Sequence, residues 1–212
     1  MLTILGMGFE FELVADHSEI YGFLSHDEPE RLPSWSIGVR CGSARLLPLE
    51  GESKEDLDFR REEFEFVSGE GCHASISGLD IPVKSWHDLA EQCISVEFET
   101  SSPIMPSDPG EFYYEAHHWH TNRNQIEFGT RSNNVFPVRW KFMAEDDEEN
   151  MTEVQVEASI PFRYFKVWFK NSSDLSIPAA VQAVSRYAEE DELGEPYEHH
   201  GHYVVIPLRG DG

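Results

Sequence analysis

Apolar and polar residues alternate with a period of two in several short segments of the chain. The clearest segment is residues 9–13, where Phe, Glu, Phe, Glu and Leu follow one another. Side chains at i and i+2 of a strand lie on the same face, so this alternation is typical of a half-buried strand. Alternation, or a run of aromatic and β-branched residues between turn residues, predicts further strands at 63–67, 96–99, 112–119, 124–128, 135–143, 154–158, 162–169 and 203–208.

Helical signals are found in two places. Ser85 is followed three residues later by Asp88, which is the spacing of a capping box and predicts a short helix. Ser176 is suited to cap a second, longer helix, because Pro178 fits the first turn and apolar residues then recur at helical spacing. We expect this longer helix to run to about Asp191.

These elements together predict an α+β protein, with a β-rich antiparallel sheet or sandwich and with one short and one longer helix. A chain of 212 residues usually forms one domain, so we expect a single compact domain over residues 1–212. A candidate subdomain boundary lies near 101–110, a segment with three prolines, and loops are also predicted at 25–33 and 144–150.

The composition adds a large excess of negative charge. Forty Asp and Glu residues against sixteen Lys and Arg leave a formal charge of −24. Coulomb repulsion between this charge and phosphate groups argues against direct binding to nucleic acid or to anionic membranes. Coulomb attraction favours a basic partner. A net charge of roughly 2–8 is enough to keep a small domain soluble. We therefore interpret the remaining charge as a surface that a cationic protein neutralises.

Alternation also predicts where the carboxylates lie. Three pairs are expected on the outer face of strands, where they would form a carboxylate-dense surface: Glu10 with Glu12, Glu63 with Glu65, and Glu97 with Glu99. Two acidic clusters outside the strands are the predicted contact residues: Glu145, Asp146, Asp147, Glu148 and Glu149 in a loop, and Glu189, Glu190, Asp191 and Glu192 at the end of the longer helix. An aromatic anchor is expected beside them, with Tyr113 or Trp119 as first choices.

In its size, acidity, α+β character and scattered aromatic residues, such as Trp119, Trp140 and Trp168, the chain resembles the bacterial immunity proteins that neutralise contact-dependent or secreted toxins. The resemblance implies stoichiometric inhibition of a basic toxin, such as a nuclease, without a cofactor and without catalysis. A DNA mimic that captures a host enzyme would need the same acidic surface and stays an alternative.

Two histidine-rich segments, 117–120 and 199–202, suggest an enzyme instead. His118 and His120 share one face of an extended segment, as do His200 and His202, and neutral imidazoles so placed suit zinc. A metal-dependent hydrolase would follow if the two segments met in space. Histidines among many carboxylates also occur without any metal, so we predict no metal and no catalytic residue.

The cysteines bear on the cellular compartment. Cys41, Cys72 and Cys93 are odd in number and far apart in sequence, which fits a reducing compartment better than a disulfide framework. The first basic residue is Arg31, so a positively charged signal segment is not expected at the start of the chain, and no apolar stretch approaches the length of a membrane span. These features predict a cytoplasmic protein.

Overall fold

The computed structural model describes residues 1–5, 8–14, 17–47, 49–67, 72–97, 110–114, 117–145 and 150–209. Twelve β-strands lie within these ranges: β1 Leu2–Ile4, β2 Phe9–Leu13, β3 Glu19–Ser25, β4 Ser34–Leu46, β5 His73–Asp80, β6 Cys93–Val96, β7 Gly110–Tyr114, β8 His117–Phe128, β9 Val135–Glu145, β10 Met151–Trp168, β11 Tyr197–His199 and β12 Tyr203–Pro207. Two α-helices accompany them, α1 at Lys54–Val67 and α2 at Ile177–Val184. The prediction of an α+β chain with a strand-rich antiparallel sheet is therefore confirmed.

All twelve strands belong to one hydrogen-bonded sheet. The order along it is β1-β2-β4-β5-β7-β8-β9-β10-β12-β11, with β3 between β4 and β10 and with β6 beside β8. Because β1 pairs with β10 as well as with β2, the first eight strands of this order close into a ring. Every pairing is antiparallel except the one between β3 and β10. Strands from both sides of residues 101–110 pair within this one sheet.

Large aromatic side chains make up much of the core. Trp35 and Trp140 are fully buried, together with Phe9, Phe11, Phe112, Phe136, Phe142, Phe162, Phe165 and Phe169. In β9 the buried side chains alternate with more exposed ones along the whole strand. The period-two pattern of the sequence therefore corresponds to one face packed in the core and one face turned outward.

Several predicted strands agree closely with the structure. β2 coincides with the predicted segment 9–13, and β9 contains the predicted segment 135–143. The segments 154–158 and 162–169 are joined in the single strand β10, which runs through Pro161. β1 pairs with β10 only up to Val156 and β3 pairs with it only from Phe162, so neither strand lies opposite this proline. The N–H that proline lacks is therefore not needed by either of these two neighbours.

The predicted strand at 63–67 is wrong, because these residues form the second half of α1. The cause is a capping box that begins ten residues earlier. The Asp56 N–H donates to Ser53 Oγ (3.1 Å), and the Ser53 N–H donates to Asp56 Oδ2 (3.3 Å). This box starts a helix through good helix formers, and propagation then overrides a five-residue alternation.

The two predicted helices are both present, and the second is shorter than expected. Ser85 and Asp88 form the expected capping box, which opens a 3₁₀ helix at Trp86–Leu89. Ser176 caps α2 through the Ala179 N–H (3.4 Å), but α2 ends at Val184 and not at about Asp191. Beyond that point the Tyr187 N–H donates to the Val184 carbonyl three residues back, which tightens the chain into a turn. Within the described ranges, neither α1 nor α2 combines the length and the apolar character needed to cross a membrane.

Two of the cysteines that are distant in sequence lie side by side in the sheet. The Cys41 N–H on β4 donates to the carbonyl of Cys72, which directly precedes β5, at 2.8 Å, and both side chains are buried. Burial and the neighbouring Cys41 thiol raise the pKa of the Cys72 thiol well above its usual range. Cys93 is exposed, and all three cysteines are free thiols.

Candidate functional site

The outer face of the sheet is not the carboxylate-dense surface that alternation predicts. Glu10 is only 7% exposed and forms an ion pair with Arg45 on β4. Further along the sheet, Arg139 on β9 lies 3.9 Å from Glu127 on β8 and 3.8 Å from Glu157 on β10. Cations on neighbouring strands therefore compensate carboxylates that the sequence pattern places outward.

The other two predicted pairs do not lie on strands of the sheet. Glu63 and Glu65 belong to α1, because their segment is helical. Glu97 is exposed directly after β6, and Glu99 lies outside the described residues. The three pairs therefore do not share one sheet face, and this expectation is corrected.

The predicted loop cluster is described at one residue only. Glu145 is half-buried at the end of β9, opposite His120 on β8, and Glu111 on β7 lies opposite the same histidine. His120 therefore has a carboxylate residue on each neighbouring strand. Asp146, Asp147, Glu148 and Glu149 lie outside the described residues.

The cluster at the end of the longer predicted helix divides into exposed and engaged residues. Glu189, Glu190 and Asp191 are exposed, whereas Glu192 is half-buried. The Trp86 Nε1–H and the Glu189 N–H both donate to Glu192 Oε2, at 3.2 and 2.9 Å. His87 Nε2 lies 2.6 Å from Glu192 Oε1. Glu192 therefore joins its 3₁₀ helix, Glu190–Glu192, to the Trp86 segment.

The pKa of Glu192 reflects these contacts. Burial is the largest single influence and raises the pKa, but the hydrogen bonds from the Glu189 N–H and Trp86, with the charge interaction and hydrogen bond of His87, together outweigh it, so that the pKa is lowered. The charged carboxylate is thus held by groups of this chain, which leaves Glu189, Glu190 and Asp191 as the exposed members of the cluster.

The two histidine segments lie at opposite ends of β10. His120 is opposite Glu145 of β9, which is opposite Met151, the first residue of β10. His199 is opposite Tyr203 of β12, which is opposite Trp168, the last residue of β10. At about 3.3 Å per residue, roughly 55 Å of strand separates these two ends. In this register the two histidine segments do not meet, as a shared metal site would require.

The four candidate metal ligands are placed as follows. His118 lies in β8 and is described in its backbone only. His120 is exposed in the same strand, and His200 is in a turn at a φ of 50°. His202 Nδ1 is 3.2 Å from the Phe169 carbonyl oxygen. In the part of the chain that the structure describes, His, Cys, Asp and Glu side chains form no group of three that could hold a metal.

Another dense group of carboxylates lies around α1. Residues 50–65 carry eight acidic and three basic side chains, a net charge of −5, whereas sixteen average residues of this chain would carry about −2. Glu55, Asp58, Phe59 and Glu62 follow one another at i, i+3, i+4 and i+7, so they share one side of the helix. All four are exposed, and Phe59 is 71% exposed. We call these four residues the α1 face.

The opposite side of α1 is attached through Arg60 to the segment that joins β4 to α1. Its guanidinium group forms an ion pair with Glu52 and donates from Nη2 to the Leu47 carbonyl (3.0 Å). Gly8 permits this approach, since its φ is 64° and an added Cβ would lie 2.7 Å from Arg60 Nη1. None of the α1 side chains described, at residues 54–62, belongs to the hydrophobic core. Polar contacts at Arg60 therefore hold α1 against the segment that follows β4.

The two aromatic residues expected as candidate anchors both pack within the chain. Trp119 is only 8% exposed and packs edge-on against Phe112, and Tyr113 stacks on His73 with 5.0 Å between ring centroids. The sequence analysis did not single out Phe59, because the alternation at 63–67 suggested a strand and not a helix in this region. The capping spacing of Ser53 and Asp56 was the sequence signal that could have revealed it.

Comparison of the chain with known protein families, curated proteins and solved structures finds no match. A function is therefore inferred from the residues of this chain alone. Among the acidic segments that the structure describes, the α1 face carries the most exposed aromatic side chain, Phe59 at 71%, whereas the acidic residues 189–198 carry Tyr197 at 50%.

Acid should loosen α1 before it loosens the sheet. The hydrogen bond from Arg60 lowers the pKa of Glu52 below its ordinary value, and the hydrogen bonds with Ser53 lower the pKa of Asp56 in the same way. A carboxyl whose pKa is depressed by folding stabilises fully above its unfolded pKa and loses this effect as the pH falls through the folded pKa. We expect amide exchange in α1, corrected for its intrinsic rate, to accelerate as the pH falls below about 4.

A Glu52→Gln variant is the control for this expectation, because it cannot be protonated and should lose much of the pH dependence. Protection of α1 that stays constant down to about pH 3, with the sheet still folded, would show that these two carboxylates do not hold the helix.

Proposed function

We propose that this protein binds a basic protein partner through the α1 face and masks it stoichiometrically. The observation that carries the proposal is the position of Phe59, which stands exposed between the carboxylates of Glu55, Asp58 and Glu62. Asp58 also lies 3.3 Å from Arg61, but this exposed ion pair is weak enough for a cationic partner to compete for the carboxylate. An exposed aromatic side chain flanked by carboxylates suits an interface hot spot for a basic partner.

The carboxylates and the aromatic ring of the α1 face have different roles in this proposal. The carboxylates attract a cationic surface over about one Debye length, roughly 8 Å at physiological salt, and so speed the encounter. Burial of the Phe59 ring in a pocket of the partner then contributes about 1.5–3 kcal/mol, which holds the complex together. The partner would also order a helix that is marginal on its own at this length.

The partner class proposed is a toxin, in particular a nuclease, and the role is that of an immunity protein in the cytoplasm. A nuclease cleft is basic because it holds phosphates, and a row of carboxylates at helical spacing is able to occupy it. Three free thiols, two of them buried together, suit a reducing compartment. Masking of this kind needs neither a metal nor a cofactor.

The proposal is tested by affinity capture from the lysate of the producing cell, followed by reconstitution with the purified basic protein. The triple variant Glu55→Gln, Asp58→Asn, Glu62→Gln should lose this protein. The matched control, Asp80→Asn, Glu195→Gln, Glu198→Gln, removes the same charge from exposed positions outside α1 and should retain it. With the purified pair, we expect a 1:1 complex whose affinity falls as salt rises.

The proposal would be contradicted if both triple variants retained the basic protein equally. It would also be contradicted if the affinity of the complex did not depend on ionic strength. Inhibition of nuclease activity at one equivalent would support the toxin class. Capture of a host repair or restriction enzyme in its place would favour DNA mimicry through the same surface.

A further inference from the structure

A second candidate site is a cavity between α2 and the turn from β3 to β4. Its volume is about 300 Å³, at the lower end of the range of roughly 300–1,000 Å³ usual for small-molecule sites. Leu24, Pro29, Ala183 and Tyr187 provide apolar walls. We call this space the α2 cavity.

The charge of the α2 cavity is unusual for this protein. Two guanidinium groups, Arg31 and Arg186, line it together with a single carboxylate, Glu28. Three other cavities of the described structure are lined by at least as many carboxylates as cationic groups. In a chain with a formal charge of −24, a concave site with a surplus of cations points to an anionic ligand.

Both arginines keep donors for such a ligand. Arg186 Nη1 donates to the Pro29 carbonyl at 2.7 Å, which fixes one end of its guanidinium fork. Arg31 Nη1 lies 3.3 Å from Glu28 Oε2, but both side chains are more than half exposed. An exposed ion pair of this kind is worth at most about 1 kcal/mol, so a bound anion is able to compete for Arg31.

The floor of the cavity contains two buried polar atoms that lack a partner. Ser25 Oγ and His26 Nδ1 are the buried side-chain atoms, among the residues described, that have no hydrogen bond. Both residues line the α2 cavity, and the His26 ring is stacked on Phe169 with 4.6 Å between centroids. A buried polar group without a partner is costly and is found preferentially at functional sites.

We propose that the α2 cavity binds a small organic anion with a carboxylate or phosphate group and an apolar body. Arg31 and Arg186 contact the anionic group through the guanidinium N–H groups that do not donate to Glu28 or to the Pro29 carbonyl. The apolar body packs against Leu24, Ala183 and Tyr187, close to the two polar atoms without partners. This site is separate from the α1 face, so the two proposals stand or fall independently.

The test uses benzoate, phenyl phosphate and the neutral analogue benzamide as probes, with binding measured by titration calorimetry and by saturation-transfer NMR. We expect saturable binding of at least one anion with a Kd on the order of 1 mM and binding of benzamide weaker by about tenfold or more. A stronger response to phenyl phosphate than to benzoate would identify a phosphate ligand, and the reverse a carboxylate.

Two variants and one control locate the binding. Arg186→Gln and Arg31→Gln should each weaken anion binding by about tenfold or more, while Arg139→Gln, the same change on the outer face of the sheet, should not. Arg31→Gln also covers the case in which Arg186→Gln loosens the turn at Pro29, and thermal unfolding of each variant shows whether the fold is intact. Absence of saturable binding at about 10 mM of either anion, equal binding of benzamide, or an equal loss in Arg139→Gln would overturn the proposal.

Discussion

Replacing Trp140 by alanine should lower the free energy of unfolding by about 3–5 kcal/mol. Trp140 lies in β9 at the centre of three strands, opposite Ile126 of β8 and Val156 of β10, and it is fully buried. Its ring packs at 4.8 Å from the ring of Phe142. The closed sheet cannot collapse easily into the space left behind, so the cavity adds to the loss of buried apolar area. Urea denaturation of the two proteins measures the difference.

A second variant, Trp140→Phe, separates the ring from its hydrogen bond. The Trp140 Nε1–H donates to Asn124 Oδ1 at 2.9 Å, and Asn124 is itself fully buried. Phenylalanine keeps most of the apolar contact but leaves this oxygen without its donor, which should cost about 1–3 kcal/mol. A loss below about 1 kcal/mol in Trp140→Ala would show that Trp140 is not a central residue of the core.

Replacing Phe59 by alanine should weaken partner binding and leave the stability of the fold almost unchanged. The free energy of unfolding should change by less than about 0.5 kcal/mol, since the side chain is 71% exposed and touches no part of the core. The affinity for the basic partner should fall by about 2 kcal/mol, or roughly thirtyfold in Kd, because a central aromatic anchor is removed. Urea denaturation and titration with the captured partner measure the two effects on the same samples.

Tyr197→Ala is the matched control for this prediction. Tyr197 is 50% exposed on β11 and is not part of the α1 face. Its removal should leave both stability and partner binding close to those of the parent protein. If Phe59→Ala bound the partner as tightly as Tyr197→Ala, the α1 face would not be the contact surface.

Local sequence signals were reliable where one rule applied without a competitor. The alternation at 9–13 became β2, and the capping residues Ser85 and Ser176 begin the elements predicted for them. Local sequence signals were unreliable where two rules applied to the same residues. Residues 63–67 alternate as a strand would, yet they continue a helix that Ser53 starts. Cooperative helix propagation from a capped end decided between the two.

The candidate surface could be predicted only in its chemistry. An excess of carboxylates is a sum over the chain, and it is visible without any structure. The exposure of Phe59 cannot be read from the sequence, because it depends on how α1 is attached through Arg60 and Glu52. The same holds for the α2 cavity, whose walls come from β3, from the following turn and from a helix more than 140 residues later.

The amino-acid sequence by itself determined the charge of this protein, the alternation that makes most of its strands, and the caps that begin its helices. The tertiary structure decided which carboxylates are paired within the chain. Glu10 is compensated by Arg45, 35 residues away, and Glu192 is held by Trp86, 106 residues away. Charge is additive along a chain, but the pairing of charges depends on strand register and packing between distant segments, which no local pattern encodes.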